Sequence, residues 1–167
     1  MEINKGLPLK GVGGSLYLSL GSNIGDRRSL LHRAITLIGE RIGTVQRVSS
    51  FIETEPWGFE SEHPFLNAAC MVLTSLSPEQ CLEATQQLER ELGRTQKSKD
   101  GIYHDRPIDI DLLLYDDLEI STPTLTLPHP RMYERDFVMI PLREILPTEV
   151  NLEQKEGRET EKPKECE

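Results

Sequence analysis

Two carboxylates stand two residues apart in the segment Arg106-Pro107-Ile108-Asp109-Ile110-Asp111-Leu112-Leu113-Leu114. Residues two apart in a strand point to the same side. Ile108, Ile110, Leu112 and Leu114 then face a core, and Asp109 and Asp111 face away from it. Adjacent same-face positions lie ~6.6 Å apart along a strand. At an effective dielectric of ~20, two charges at that spacing repel by roughly 2.5 kcal/mol. A divalent cation turns the repulsion into attraction. Mg²⁺ takes one or two protein carboxylates, keeps several waters and shares the oxygens of a phosphate chain. Two ions can share such a pair in phosphoryl chemistry. The solvent face of an amphipathic strand explains the same spacing and, on spacing alone, is the commoner case. Asp is a poor strand former, however, and its presence twice in mid-strand asks for a reason.

The loop before this strand, Arg94–Arg106, carries four cations (Arg94, Lys97, Lys99, Arg106) against Asp100 and Asp105, leaving it at +2. Arginine forks suit phosphate oxygens because they bond two at once. A solvated surface loop has the same composition. Pro128-His129-Pro130, followed by Arg131 and Arg135, holds a histidine on a stiff backbone, which fits a positioned donor and a plain turn equally well. His32, His63 and His104 share no metal-ligand spacing. The Gly21–Gly25 turn lies between a strand and a helix, where amides can meet an anion. It has no Gly-Lys-Ser/Thr and no dinucleotide fingerprint, and reads as a tight turn. Cys70 and Cys81 fall at apolar positions and read as packing residues rather than nucleophiles.

The chain has 167 residues and a formal charge of −9. That is one domain's length, with enough apolar residues for a core. The acidity excludes a broad nucleic-acid-binding face, so an anion must be met locally. The longest apolar run, Ala68–Leu73, is far short of a membrane span, and the N-terminus has no secretion-signal pattern. Three scattered cysteines without a C-x-x-C fit a reducing cytoplasm.

Residues 1–14 read as a flexible lead-in, 15–150 as the working domain and 151–167 as a disordered charged tail with six Glu and four Lys or Arg. Ser15–Leu20 alternates as a strand, and Asp26 caps a helix with Leu30, Leu31, Ala34, Ile35, Ile38 and Ile42 on its buried face. Thr44–Thr54 reads as a second strand, Glu55–Phe65 as a loop and Leu66–Leu76 as a third strand. Ser77-Pro78-Glu79-Gln80 is a capping-box helix start with Pro at the first position, and Gly93 is the stop. Cys81, Leu82, Thr85, Leu88 and Leu92 form that helix's buried stripe. Ile108–Tyr115 is a fourth strand. Leu118–Ile120 and Thr124–Leu127 read as short edge strands, and one or two short helices lie in Arg131–Leu146, interrupted at Pro141. The order βαββαβ predicts an α+β, ferredoxin-like sandwich: a mostly antiparallel sheet, both helices on one face, with C-terminal additions.

Six motifs occur in register: Leu18-Ser19-Leu20-Gly21-Ser22-Asn23; Glu53-Thr54-Glu55-Pro56-Trp57-Gly58; Phe65-Leu66-Asn67-Ala68-Ala69; Glu89 with Leu92-Gly93-Arg94; Arg106-Pro107-Ile108-Asp109-Ile110-Asp111; and Pro128-His129-Pro130 with Arg135-x-Phe137. Together they resemble the 6-hydroxymethyl-7,8-dihydropterin pyrophosphokinase family, over about Tyr17 to Pro147. The resemblance implies transfer of pyrophosphate from ATP to the pterin alcohol, giving AMP and the pterin diphosphate, a step of folate biosynthesis. By position it implies that Asp109 and Asp111 hold two Mg²⁺. Thr54, Trp57, Phe65, Asn67 and Phe137 surround the pterin. Gln86, Glu89, Arg94, Arg106, Leu112, Thr126, His129 and Arg135 line ATP, with Glu89 accepting from the ribose and Arg94 and Arg106 acting catalytically on the phosphates.

The chain departs from the pattern at Gln96, where some members have Arg, at Pro130, where some have Tyr, and in lacking a Trp within Arg94–Arg106. The partners expected are small molecules, with no nucleic acid and no membrane, in a cytoplasmic monomer or weak homodimer. Two rival readings are another Mg²⁺-dependent phosphoryl or nucleotidyl transferase and a non-catalytic ferredoxin-like ligand-binding module.

Overall fold

The computed structural model describes residues 14–54, 64–93 and 107–147. Trp57, Arg94, Arg106, the lead-in up to residue 13 and the tail 151–167 lie outside the described residues. In chain order the elements are β1 (Gly14–Ser22), α1 (Arg27–Arg41), β2 (Gly43–Val48), β3 (Ile52–Thr54), β4 (Phe65–Thr74), α2 (Pro78–Glu91) and β5 (Asp109–Tyr115). The hairpin strands β6 (Ile120–Ser121) and β7 (Thr126–Leu127), a 3₁₀ turn (Met132–Glu134) and α3 (Asp136–Ile145) follow.

β1 is central. It pairs antiparallel with β4 on one side and β5 on the other, while β2 and β3 both pair antiparallel with the far edge of β4. Every described pairing in this five-stranded sheet is antiparallel, and α1 and α2 share one of its faces. The helix ends follow local chemistry. The Asp26 side chain accepts from the Ser29 N–H at 3.2 Å. Ser77 and Gln80 form a reciprocal capping box, with Pro78 opening α2. Gly93 ends it at φ +112°, a conformation that costs glycine little.

One face of the sheet buries Leu16, Leu18 and Leu20 of β1, Leu66, Ala68, Cys70 and Val72 of β4, and Ile110 and Leu112 of β5 against Leu31, Ala34, Ile38, Cys81 and Leu88 of the helices. The other face holds a second core. There Tyr17, Ala69, Met71, Leu113 and Leu114 pack against Val138, Met139, Leu142 and Ile145 of α3. α3 covers only part of that face, and the rest carries the candidate site.

Four details differ from the sequence reading. The single strand expected over Thr44–Thr54 is two strands. Between them Ser49 replaces a ladder residue: its hydroxyl accepts from the Ala69 N–H at 2.9 Å, and its own N–H donates to the Ala69 carbonyl at 2.9 Å. Glu144 of α3 then accepts from the Ser50 N–H at 3.0 Å. Second, Leu114 faces α3 rather than α1 and α2. Leu18 pairs with Leu112 and Tyr17 with Leu114, so Leu113 is an extra residue that reverses the alternation beyond it. Third, Pro141 does not interrupt α3. It removes one helical hydrogen bond, and burial of Val138, Met139, Leu142 and Ile145 offsets the loss. Fourth, Gly14, Gly21, Ser22 and Phe65 belong to strands rather than to the lead-in, the Gly21–Gly25 turn and the loop, because each continues a ladder with its neighbouring strand.

Burial pushes the Cys70 thiol up to about 12 and the Cys81 thiol up to about 11, the latter against a lowering hydrogen bond from Thr74. Both thiols are therefore expected to resist iodoacetamide in the native protein at a pH of about 8, where an ordinary thiol is partly ionised. Peptide mass spectrometry checks this. Alkylation of Cys70 without unfolding would contradict the packing described here.

Candidate active site

Alongside the α3 contacts the second sheet face has a regular floor, in which Ser19, Gly21 and Asn67 are buried and Asp109 and Asp111 half-buried. Across three strands, Asn67 of β4 pairs with Gly21 of β1, and Gly21 pairs with Asp109 of β5. The next row is Ala69, Ser19 and Asp111. With neighbouring strands ~4.8 Å apart, the amide of Asn67 and the carboxylate of Asp109 rise from backbones only ~10 Å apart. Space at Gly21 between them is tight, and a larger residue would need the neighbouring side chains to give way. A Cβ there would lie 3.0 Å from Asn67 Oδ1 and 3.4 Å from Phe65 Cδ1.

Asn67 is 3 % exposed, and its Nδ2 donates to Thr54 Oγ1 at 2.6 Å. That bond orients the amide. Phe65 lies on the same face, and Phe137 opens α3 at the border of the second core. The guanidinium of Arg135 sits over the Phe137 ring, 5.7 Å from its centre. Thr54, Phe65 and Asn67 thus stand together at one end of this face, and Phe137 lies at the border of the second core.

Asp109 and Asp111 are both half-buried at the other end. Among the described residues no three His, Cys, Asp or Glu side chains gather into a metal cage. The donor set is a carboxylate pair on an open face. It fits a hard cation that keeps its waters and borrows phosphate oxygens, and does not fit a self-contained zinc site.

Near the pair, the His129 backbone N–H donates to the Leu113 carbonyl at 3.0 Å. Its Nδ1 accepts from the Arg131 N–H at 3.2 Å, which leaves the proton of the neutral ring on Nε2. Burial, then Arg135, lowers the proton affinity of His129; Asp109 raises it and Arg131 lowers it further, and the net shift is downward from 6.5.

The other residues expected along ATP are divided. Gln86 is exposed on α2 and Thr126 is exposed on β7. α2 and β7 both pack against β5. Leu112 lies in the helical core, on the opposite face from the carboxylates, so its side chain is not brought to them. Glu89 is 8 % exposed, and its Oε2 accepts from the Ile110 N–H at 2.7 Å. His32 is outside the site, against the Phe51 ring at 5.0 Å, and His63 and His104 lie outside the described residues.

Arg27 was missed by the sequence reading. It donates to the Pro64 carbonyl at 2.8 Å and pairs with Glu53 at 2.7 Å, so it joins the two chain positions next to Thr54 and Phe65. An exposed pair of this kind contributes about 0–1 kcal/mol, so its value is positional. The available signal was an arginine in the first turn of a helix, where the dipole disfavours a cation.

Fold and site together define a ferredoxin-like domain that sets polar and aromatic side chains beside a pair of half-buried carboxylates. A family model described as 7,8-dihydro-6-hydroxymethylpterin-pyrophosphokinase (HPPK) matches residues 17–147. A Porphyromonas gingivalis protein named 2-amino-4-hydroxy-6-hydroxymethyldihydropteridine pyrophosphokinase is 56 % identical over 133 residues, covering 79 % of this chain and 90 % of its own. Proteins of the same name from Bacillus subtilis and Aquifex aeolicus are 49 % identical (77 % of this chain, 76 % of theirs) and 41 % identical (82 % and 83 %). The solved structure of wild-type Plasmodium falciparum HPPK-DHPS with pterin and p-hydroxybenzoate matches with a TM-score of 0.62 at 16 % identity, over 83 % of this chain and 41 % of that one. At that identity the likeness supports the fold. The chain belongs to the 7,8-dihydro-6-hydroxymethylpterin-pyrophosphokinase family.

His129 is expected to be neutral at neutral pH with its proton on Nε2, and to protonate below 6.5. The unfolded chain then binds that proton more readily, so this group's contribution to stability falls as pH drops through 6.5. Imidazole ¹⁵N shifts followed against pH check both points. Arg135→Ala should move the midpoint upward, because Arg135 opposes the second charge.

Proposed function

We propose that this protein transfers the pyrophosphoryl group of ATP to the hydroxymethyl group of 6-hydroxymethyl-7,8-dihydropterin, yielding AMP and the pterin diphosphate in folate biosynthesis. Family membership supports the activity. The observation that carries the residue-level reading is the row Asn67–Gly21–Asp109, which joins an amide-bearing aromatic pocket to the carboxylate pair across one strand.

In this reading Asn67, oriented by Thr54, reads the amide edge of the pterin, and Phe65 and Phe137 pack against its rings. Trp57 completes the cover. The hydroxymethyl group then points along the row towards Asp109. Its oxygen attacks the β-phosphorus, the bond from that phosphorus to the α–β bridging oxygen breaks, and AMP leaves with the bridging oxygen. The hydroxyl proton is released.

Asp109 and Asp111 would hold Mg²⁺, two ions in this reading, which when bound neutralises phosphate charge and lowers the hydroxyl's proton affinity. His129 offers Nε2–H to a phosphate oxygen. Arg94 and Arg106 neutralise the departing charge. Gln86, Thr126 and Arg135 line the nucleotide. Holding the reactants in line does most of the work, as in phosphoryl transfer generally. A monomer or weak homodimer suffices, since every residue invoked comes from one chain. The cytoplasm is the expected location, from three scattered cysteines without a C-x-x-C.

Incubation with ATP, Mg²⁺ and the pterin alcohol, followed by nucleotide separation, is expected to give AMP only when all three are present. ADP would show that the γ-phosphate moves and would overturn the reading. Asp109→Ala and Asp111→Ala should each lower kcat by about a hundredfold or more while leaving the fold intact. Circular dichroism and turnover check this together, and near-normal turnover would remove the carboxylates from the mechanism. Arg106→Ala should lower kcat by a similar factor of about a hundred with little change in pterin KM. An unchanged kcat would exclude it.

A further inference from the structure

We propose that Glu89 is a positioning residue. It holds the Asp109–Asp111 run of β5 in place by accepting the Ile110 N–H, rather than serving as a ribose ligand. The inference rests on the reading of Asp109 and Asp111 as the catalytic carboxylates.

Among the described residues β5 pairs with β1 and with no other strand of the sheet, so its second side is an edge. Alternate amides of a strand point to opposite sides in the sheet plane. The Ile110 N–H bonds to Glu89 Oε2 at 2.7 Å and therefore points outward, while the amides of Asp109 and Asp111 point towards β1. Ile110 is the one residue between the two carboxylates. Its outward amide is the handle by which both can be fixed from the open side.

An edge amide normally turns to water. Here it meets a carboxyl oxygen of Glu89, a residue 8 % exposed that reaches across from α2.

The same two elements also pack together in the helical core, where Leu88 of α2 shares one cluster with Ile110 of β5 and with Ile108 just before it. Glu89 acts through the strand on both carboxylates and need not touch the nucleotide.

The test compares Glu89→Ala with Glu89→Gln, whose amide oxygen can still accept the Ile110 N–H. In the ligand-free, metal-free protein, exchange of the Ile110 amide measured by NMR should be at least about tenfold faster in Glu89→Ala and near wild type in Glu89→Gln. Kinetically, Glu89→Ala should lower kcat and raise the Mg²⁺ concentration for half-maximal rate, each roughly ten- to a hundredfold. Glu89→Gln should restore most of both. ATP and its analogues lacking one ribose hydroxyl should lose rate by the same factor.

If Glu89→Ala does not fold, Glu89→Asp carries the comparison, since it keeps the charge and shortens the reach. It should behave as the alanine variant was expected to. The proposal is overturned if Ile110 protection is unchanged in Glu89→Ala, if the loss is confined to discrimination among the ribose analogues, or if Glu89→Gln is as inactive as Glu89→Ala. Normal turnover of Asp109→Ala would instead sink the catalytic reading, and the exchange result at Ile110 would stand independently of it.

Discussion

The pairing of β1 with β4 and β5 at once is the constraint on which the site depends. Because side chains alternate, β1 must send Leu16, Leu18 and Leu20 into the helical core and Tyr17, Ser19 and Gly21 to the other face. Antiparallel register then aligns residues of like direction across the sheet. Asn67, Gly21 and Asp109 fall in one row, and Ala69, Ser19 and Asp111 in the next. A slip of one residue in either pairing would turn the carboxylates or the amide into the core.

Coverage of that second face is divided between packing and chemistry. α3 buries Val138, Met139, Leu142 and Ile145 over Tyr17, Ala69, Met71, Leu113 and Leu114, while the Gly21 row carries polar side chains. The bulge at Leu113 marks the boundary. It turns Leu114 towards α3 and ends the alternation that keeps Asp109 and Asp111 on the open side. Arg135 and Phe137 sit where α3 begins, so the helix that completes the second core also supplies side chains to the edge of the site.

The site's edges are held by polar side chains rather than by further strands. Arg27 joins the Glu53 carboxylate to the Pro64 carbonyl beside the pterin-side residues, and Glu89 takes the Ile110 amide beside the carboxylates. Glu144 closes the break between β2 and β3 through the Ser50 amide. Each is a charged group spent on a backbone atom or strand end, at positions where a plain sheet would continue.

The chain's local chemistry determined a great deal by itself. Alternation marked β1 and β5, the Ser77–Gln80 box and Asp26 set helix starts, and the doubled Asp at 109 and 111 stood out because aspartate is a poor strand former. Those signals rest on interactions within a few residues. The tertiary structure decided what depends on partners far away in sequence. The break at Ser49 needs Ala69, the outward turn of Leu114 needs the register against Tyr17, and the helix through Pro141 needs the second core. Gly21 looked like part of a turn until Asn67 and Phe65 were seen against it. The resemblance marked Glu89 as a ribose acceptor, and no pattern on one helix can show that it also accepts from an amide 21 residues away.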